Sequence, residues 1–182
     1  MGRNPAPYWA KDISFGAKTI NAVSETAAEK PAFREAMRRR RCLIPADASY
    51  EWKTTGPKQK QPYSIGMADD SLFAFAGLWD SWEDPSRGLI KSFTILTTEA
   101  NALLKDLHNR MPVILNTGDH DRWLDPGITD PSKIDDLLRP FDARLMRFYP
   151  VSASVNHVEN DGPECAKEIA ESMTERQASL FK

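Results

Sequence analysis

Three side chains in this sequence have a type and setting that suit proton transfer or the holding of a polar ligand: Asn21, Glu51 and His108. Glu51 lies in the run ASYEWK. Read as a strand, that run turns the carboxylate away from Tyr50 and Trp52 and onto a face shared with Ser49 and Lys53. A carboxylate on a partly apolar sheet has its neutral form favoured, which suits a general acid or base. The same pattern also describes an ordinary glutamate on a half-exposed strand. His108 ends EANALLKDLH, a segment that reads as a helix with Thr98 as its N-cap, and NRMPVIL follows it. A helix C-terminus favours the protonated imidazole, and a helix-to-strand junction often exposes functional groups; a C-capping histidine with no other task has the same signature. Arg110 lies two residues further on, in the same junction, where its guanidinium could contact a phosphate. Asn21, in KTINAVSET, offers a donor and an acceptor on one amide, as does any turn asparagine. His120 and His157 lie in polar surroundings that suggest no role.

The elements that must position these groups mix strand and helix without regular alternation, which points to an α+β fold. Residues 27–41 read as a helix, with Pro31 near its first turn and Phe33, Ala36, Met37 and Arg40 at helical spacing. CLIPADASYEWK reads as a strand in which Pro45 marks an edge or a bulge. TTGPKQKQP reads as a loop, and YSIGMADDSLFAFAGLWDSW as a hairpin turning at Asp69-Asp70. LIKSFTILTT is the next strand. Short helices are expected around HDRWLD and SKIDDLLRP, then a late strand at LMRFYPVSASVN and a polar, partly helical tail.

A chain of 182 residues is expected to form one domain with a real core. No apolar run approaches the eighteen or so residues of a membrane span. The two cysteines, Cys42 and Cys165, have no paired spacing, so neither a disulfide framework nor a zinc site is expected, and a cytoplasmic location is. No metal or other cofactor is expected: metal ligands are not clustered, and neither a G-x-S-x-G elbow nor a glycine-rich phosphate loop occurs. The net charge is −2, but residues 30–62 carry nine basic and three acidic side chains, and residues from Glu159 onward carry six acidic and three basic. A locally basic segment suits a short polyanion at one site, and equally a solvated helix face.

Taken in order, INAVSET, RRRRCLIPADASYEW, FAFAGLW, FTILTTEAN, LHNRMPVIL and PVSASVN form a series that resembles the SOS response-associated peptidase (SRAP) family, the abasic-site processing proteins. The resemblance covers about residues 7–163 and leaves 164–182 as a tail. It implies mixed and antiparallel twisted sheets forming a partly closed barrel, with peripheral helices. It implies a partner, single-stranded DNA carrying abasic sites, and a mechanism. A cysteine directly after the initiator methionine attacks the abasic aldehyde through its α-amine, and its thiol then closes a thiazolidine cross-link.

By the same resemblance Asn21 orients that N-terminal residue. Glu51 moves protons during imine formation and in a peptidase-like removal of residues ahead of the cysteine, and His108 helps to open the deoxyribose or to reverse the link. Arg110 and the basic face, Arg40 included, are the implied phosphate contacts; Thr97 is a further implied DNA-binding residue, and Trp9 lines the DNA path. Two positions depart from the pattern: Val23 stands where the family has an arginine that contacts phosphate, and Ala48-Ser49 stand where it has glycine and an aromatic. The larger departure is Gly2 in place of the cysteine, the first cysteine being Cys42. The expectation is that the chain as given starts late, without the nucleophile, and does not cross-link by itself. Two other readings are a non-catalytic single-stranded DNA-binding paralogue and, ranked last, a general protease.

Overall fold

The computed structural model describes residues 19–84 and 88–170, which divide into two compact units. The α+β expectation holds: short peripheral helices accompany one mixed sheet and one antiparallel sheet.

In the first unit, β1 (Asn21–Val23), β6 (Gly88–Glu99), β5 (Phe73–Asp84) and β2 (Arg41–Ala46) lie in the order β1-β6-β5-β2. The β1–β6 pairing is parallel, while β6–β5 and β5–β2 are antiparallel. The segment holding β7 (Arg110–Pro112) and β8 (Ile114–Leu115) wedges between the upper ends of β5 and β6: β7 pairs with β6 and β8 with β5. Val113 stitches the seam, its N–H donating to Leu96 O and its carbonyl accepting from Ala76 N, each at 2.8 Å. One sheet face carries Ala22, Ala76, Leu78, Leu96 and Val113, and packs in a buried cluster with Ala36 and Met37 of α2 (Arg34–Arg39) and Trp123 of α3 (His120–Leu124). The opposite face, by register, carries Asn21, Val23, Ile95 and Thr97.

The expected helix over 27–41 is two short ones, α1 (Ser24–Ala27) and α2. Pro31 has no N–H and disfavours helical geometry at Lys30, so the chain turns, with Glu29 N and Lys30 N both on Thr26 O, and the helix restarts from Lys30 O. The basic run divides three ways. Arg41 is buried and spends its guanidinium on main-chain carbonyls: Nε on Trp123 O at 2.6 Å, Nη1 on Met37 O at 2.9 Å and Nη2 on Asp125 O at 2.6 Å. Arg39 reaches Glu35 at 3.9 Å, one helical turn away, and Arg38 is exposed.

In the second unit, β3 (Ala48–Gly56), β4 (Gln59–Met67) and β9 (Met146–Pro150) form an antiparallel sheet in the order β3-β4-β9. CLIPADASYEWK is therefore not one strand: it breaks at Asp47, and its halves enter different sheets. Pro45 does lie on a strand that ends the sheet path, where a missing N–H is tolerated. TTGPKQKQP is the tip of the β3–β4 hairpin rather than a loop, with Lys58 at φ 64 making the reversal. A turn at Asp69-Asp70 exists, Asp70 having φ 61, but its flanks do not pair with each other. Both edges of β4 are already taken by β3 and β9, so β5 joins the other sheet.

The expected helix before His108 is also absent. Strand β6 continues through Thr98, which pairs with Met111 instead of capping, and the side chain of Asn101 donates to Phe141 O at 2.9 Å. Residues 102–107 are turns, ending in bonds from Leu107 N and His108 N to Leu104 O. SKIDDLLRP forms two 3-10 turns, Pro131–Lys133 and Asp135–Leu137, and the late strand stops at Pro150, before a further 3-10 turn at Ala153–Asn156.

Candidate functional site

Asn21 opens β1, its side chain on the exposed face, opposite Ile95 of β6. Val23 follows on the same face, opposite Thr97, which in turn pairs with Pro112; the next pair along is Glu99 with Arg110. Residues directly opposite in a sheet share a face, so Asn21, Val23, Thr97 and Arg110 all project from one side of this unit. The fold thus brings together three of the expected site residues, Asn21, Thr97 and Arg110.

The Arg110 side chain is held in place. Nη2 donates to the carbonyl of Thr97, and the two terminal nitrogens fork onto Glu25 of α1, Nη1 to Oε1 at 2.8 Å and Nη2 to Oε2 at 2.7 Å. The guanidinium holds the Glu25 carboxyl well below the usual carboxylate range, at about 2. Thr97 is itself buried and donates through Oγ1 to Ala22 O at 3.4 Å, tying β6 to β1 beside the site. Sequence reasoning missed Glu25. Its only signal was an acid four residues after Asn21 in INAVSET, and nothing local ties it to an arginine that lies 85 residues away.

Arg40 belongs to the same unit but not to this cluster. It sits at the end of α2 with Nε 3.4 Å from Asp80 Oδ1. Asp80, two residues from Leu78 along β5, shares its face and therefore lies on the opposite sheet face from Asn21. Trp9 lies outside the described residues.

In the second unit, Glu51 is half-buried in β3, opposite Tyr63, which pairs onward with Pro150. Its face includes the buried ring of Tyr63, set edge-on against Phe148 with ring centres 5.4 Å apart, so the partly apolar surround expected for this carboxylate is present. Glu51 Oε1 accepts the N–H of Trp52 at 3.1 Å, and the Trp52 indole donates to Asn156 at 2.7 Å. His108 is exposed, just after the turns that contain buried Leu104 and Leu107. The helix expected to end at this residue is not formed.

Cys42, the first cysteine in the chain, is half-buried in β2, and burial pushes its thiol up to about 11. A thiol so placed is a poor nucleophile near neutrality. Among the described residues no group of three or more His, Cys, Asp or Glu side chains is placed to hold a metal ion, and no helix is long and apolar enough to cross a membrane.

The family described as SOS response associated peptidase (SRAP) matches residues 4–158 of the chain. Abasic site processing protein YoqW of Bacillus subtilis (strain 168) is 48% identical over 158 residues, which cover 87% of this chain and 70% of YoqW. Abasic site processing protein HMCES of Rattus norvegicus is 32% identical, and the match takes in 87% of this chain and 53% of that one. Among solved structures, a protein from Bacteroides thetaiotaomicron superposes with a TM-score of 0.82 at 31% identity, over 92% of this chain and 75% of that one. A second, from Bordetella bronchiseptica, gives a TM-score of 0.71 at 33% identity, over 83% and 74%.

Proposed function

The chain belongs to the SOS response-associated peptidase family, and from that premise we propose that it binds single-stranded DNA at abasic sites through the sheet face that carries Asn21, Thr97 and Arg110. The observation that carries this reading is the Arg110 fork, a cation fixed by a main-chain carbonyl on the same face as Asn21. A rigid guanidinium suits a phosphate because its paired N–H groups match two phosphate oxygens. Asn21, on the same face but across β6 from Arg110, offers its amide to the polar groups of an opened deoxyribose. Thr97 holds both Arg110 and β1 in register, and Arg40 acts at a distance as part of the field around the strand.

In the second unit Glu51 is the proposed proton carrier for imine formation and for the peptidase-like removal of leading residues, its carboxylate lying half-buried on the face of Tyr63. His108, exposed and followed by Arg110, is the proposed acid that opens the sugar ring. These are the steps around a thiazolidine cross-link, whose amine and thiol come from one N-terminal cysteine in the mechanism proposed for the family. The cysteines of this sequence are Cys42 and Cys165, with Gly2 at the second position. Cys42 is no substitute: it lies within the chain, so its nitrogen is a peptide amide and not a free amine, and burial pushes its thiol up. The 182-residue chain itself is therefore proposed to bind the lesion without forming the thiazolidine, in the reduced setting of the cytoplasm.

Incubation with an abasic single-stranded oligonucleotide, followed by denaturing gel and intact-mass measurement, tests this. The expected result is a salt-sensitive complex on a native gel and no covalent adduct on the denaturing one. A stable adduct from this chain would overturn the binding-without-cross-linking reading. Absence of any complex would overturn the DNA reading itself.

A further inference from the structure

The guanidinium assigned above to a phosphate already holds an anion of the chain's own. Glu25 takes one N–H from each terminal nitrogen of Arg110, at 2.8 and 2.7 Å. A carboxylate and a phosphate present the same pair of acceptor oxygens to that fork, and the two cannot use the same N–H groups at once. The partners are not equally fixed. Arg110 is anchored on the carbonyl of Thr97 and its side chain is 27% exposed; Glu25 is 50% exposed, on a four-residue helix. If one partner gives way to an incoming anion, it is the glutamate. Position 23 holds Val23, exposed and opposite Thr97, so β1 brings no cation of its own that would hold Glu25 elsewhere.

We propose that Glu25 is an internal competitor for the DNA phosphate at Arg110, so that this residue sets the affinity and the salt response of the site. The proposal rests on the reading of Arg110 as a phosphate contact. Glu25 touches no reacting atom. With its carboxyl held at about 2, it stays charged and in place over the whole working range of pH until a stronger anion displaces it. A phosphate must therefore exchange with it. A lone phosphate meets a site whose charge is already neutralised, whereas a strand held at neighbouring contacts presents its phosphate at high local concentration. Such a device would disfavour free phosphate and favour polymer.

The test is a set of gel-shift titrations with an abasic single-stranded oligonucleotide, using wild type, Glu25→Gln, Arg110→Ala and the double variant. The expected result is that Glu25→Gln binds about fivefold more tightly than wild type, the upper range for release of an exposed ion pair. Its plot of log affinity against log salt should steepen by about 0.7, because the Arg110 charge is no longer offset by Glu25 before the strand binds. The gain should vanish in the Arg110→Ala background. Should glutamine disturb folding, Glu25→Asp, which keeps the charge but shortens the reach, is expected to shift affinity in the same direction. If Glu25→Gln binds as wild type does or more weakly while Arg110→Ala loses affinity, Glu25 props the arginine and the competitor proposal is wrong, although the phosphate reading stands. If Arg110→Ala binds like wild type, the phosphate reading fails and the proposal with it.

Discussion

Arg41 and Arg110 show how one residue type takes two tasks at the residue scale. Arg41 is buried, and its hydrogen bonds reach the carbonyls of Met37, Arg38, Trp123 and Asp125, joining the end of α2 to the α3 region. Burial lowers its pKa, yet an arginine keeps its charge, and the ring of Trp123 lies 5.6 Å from the guanidinium carbon. Arg41→Ala is predicted to cost about 2–4 kcal/mol, because it strands several buried carbonyls, and Arg41→Lys cannot restore the fork. Urea denaturation followed by tryptophan fluorescence checks this, and a loss below about 0.5 kcal/mol would contradict it. Arg110 instead keeps its fork on a half-exposed carboxylate. Here the pH dependence has a definite sign. The Glu25 pKa is depressed from 4.5 to about 2 in the fold, so its contribution is present above pH 4.5 and is lost as pH falls toward 2. The pair is solvent-exposed, so the expected size is no more than about 1 kcal/mol, and Glu25→Gln should flatten that limb of an acid-denaturation curve. Cys42 gives a chemical check: at pH 8 its alkylation by iodoacetamide should be at least about tenfold slower than that of free cysteine, since its thiol is pushed up to about 11.

At the scale of elements, the wedge of β7 and β8 between β5 and β6 sets the site, because it aims Arg110 across Thr97 toward α1. Val113 sits at its centre with no exposed surface and both backbone groups bonded. Val113→Ala is predicted to cost about 2 kcal/mol and to lower the thermal midpoint by several degrees. This part of the structure was only half legible beforehand. Strand β6 and the short α3 helix were both expected where they form, FTILTT being rich in β-branched residues and HDRWLD reading as a short helix. The helix expected before His108 failed because its proposed cap, Thr98, was claimed by a long-range pairing with Met111. The hairpin expected at Asp69-Asp70 failed for a similar reason: the turn exists, but which strands pair there depended on β9, which begins only at Met146. Local pattern located the turn at Asp69-Asp70, whereas pairing partners, and with them the fate of a cap such as Thr98, are decided by what else competes for an edge.

For the whole molecule, a net charge of −2 means that any attraction for DNA is local and not a property of the total charge. The basic segment supplies less of it than its composition promised, because Arg41 is buried and Arg40 and Arg39 have acidic neighbours. What the family resemblance contributed, and residue patterns alone could not, was the linking of Asn21 and Arg110 before any register was known; the sheet then set them on one face. The central claim is that this face reads an abasic lesion. Fluorescence anisotropy on a labelled single-stranded oligonucleotide, with one abasic position or with the intact base, tests it most directly for wild type and Asn21→Ala. The account predicts that wild type prefers the abasic strand by about five- to tenfold, the worth of one or two hydrogen bonds. Asn21→Ala should lose that preference while binding the intact strand as before. Equal affinity of wild type for both strands, or an undiminished preference in Asn21→Ala, would contradict it.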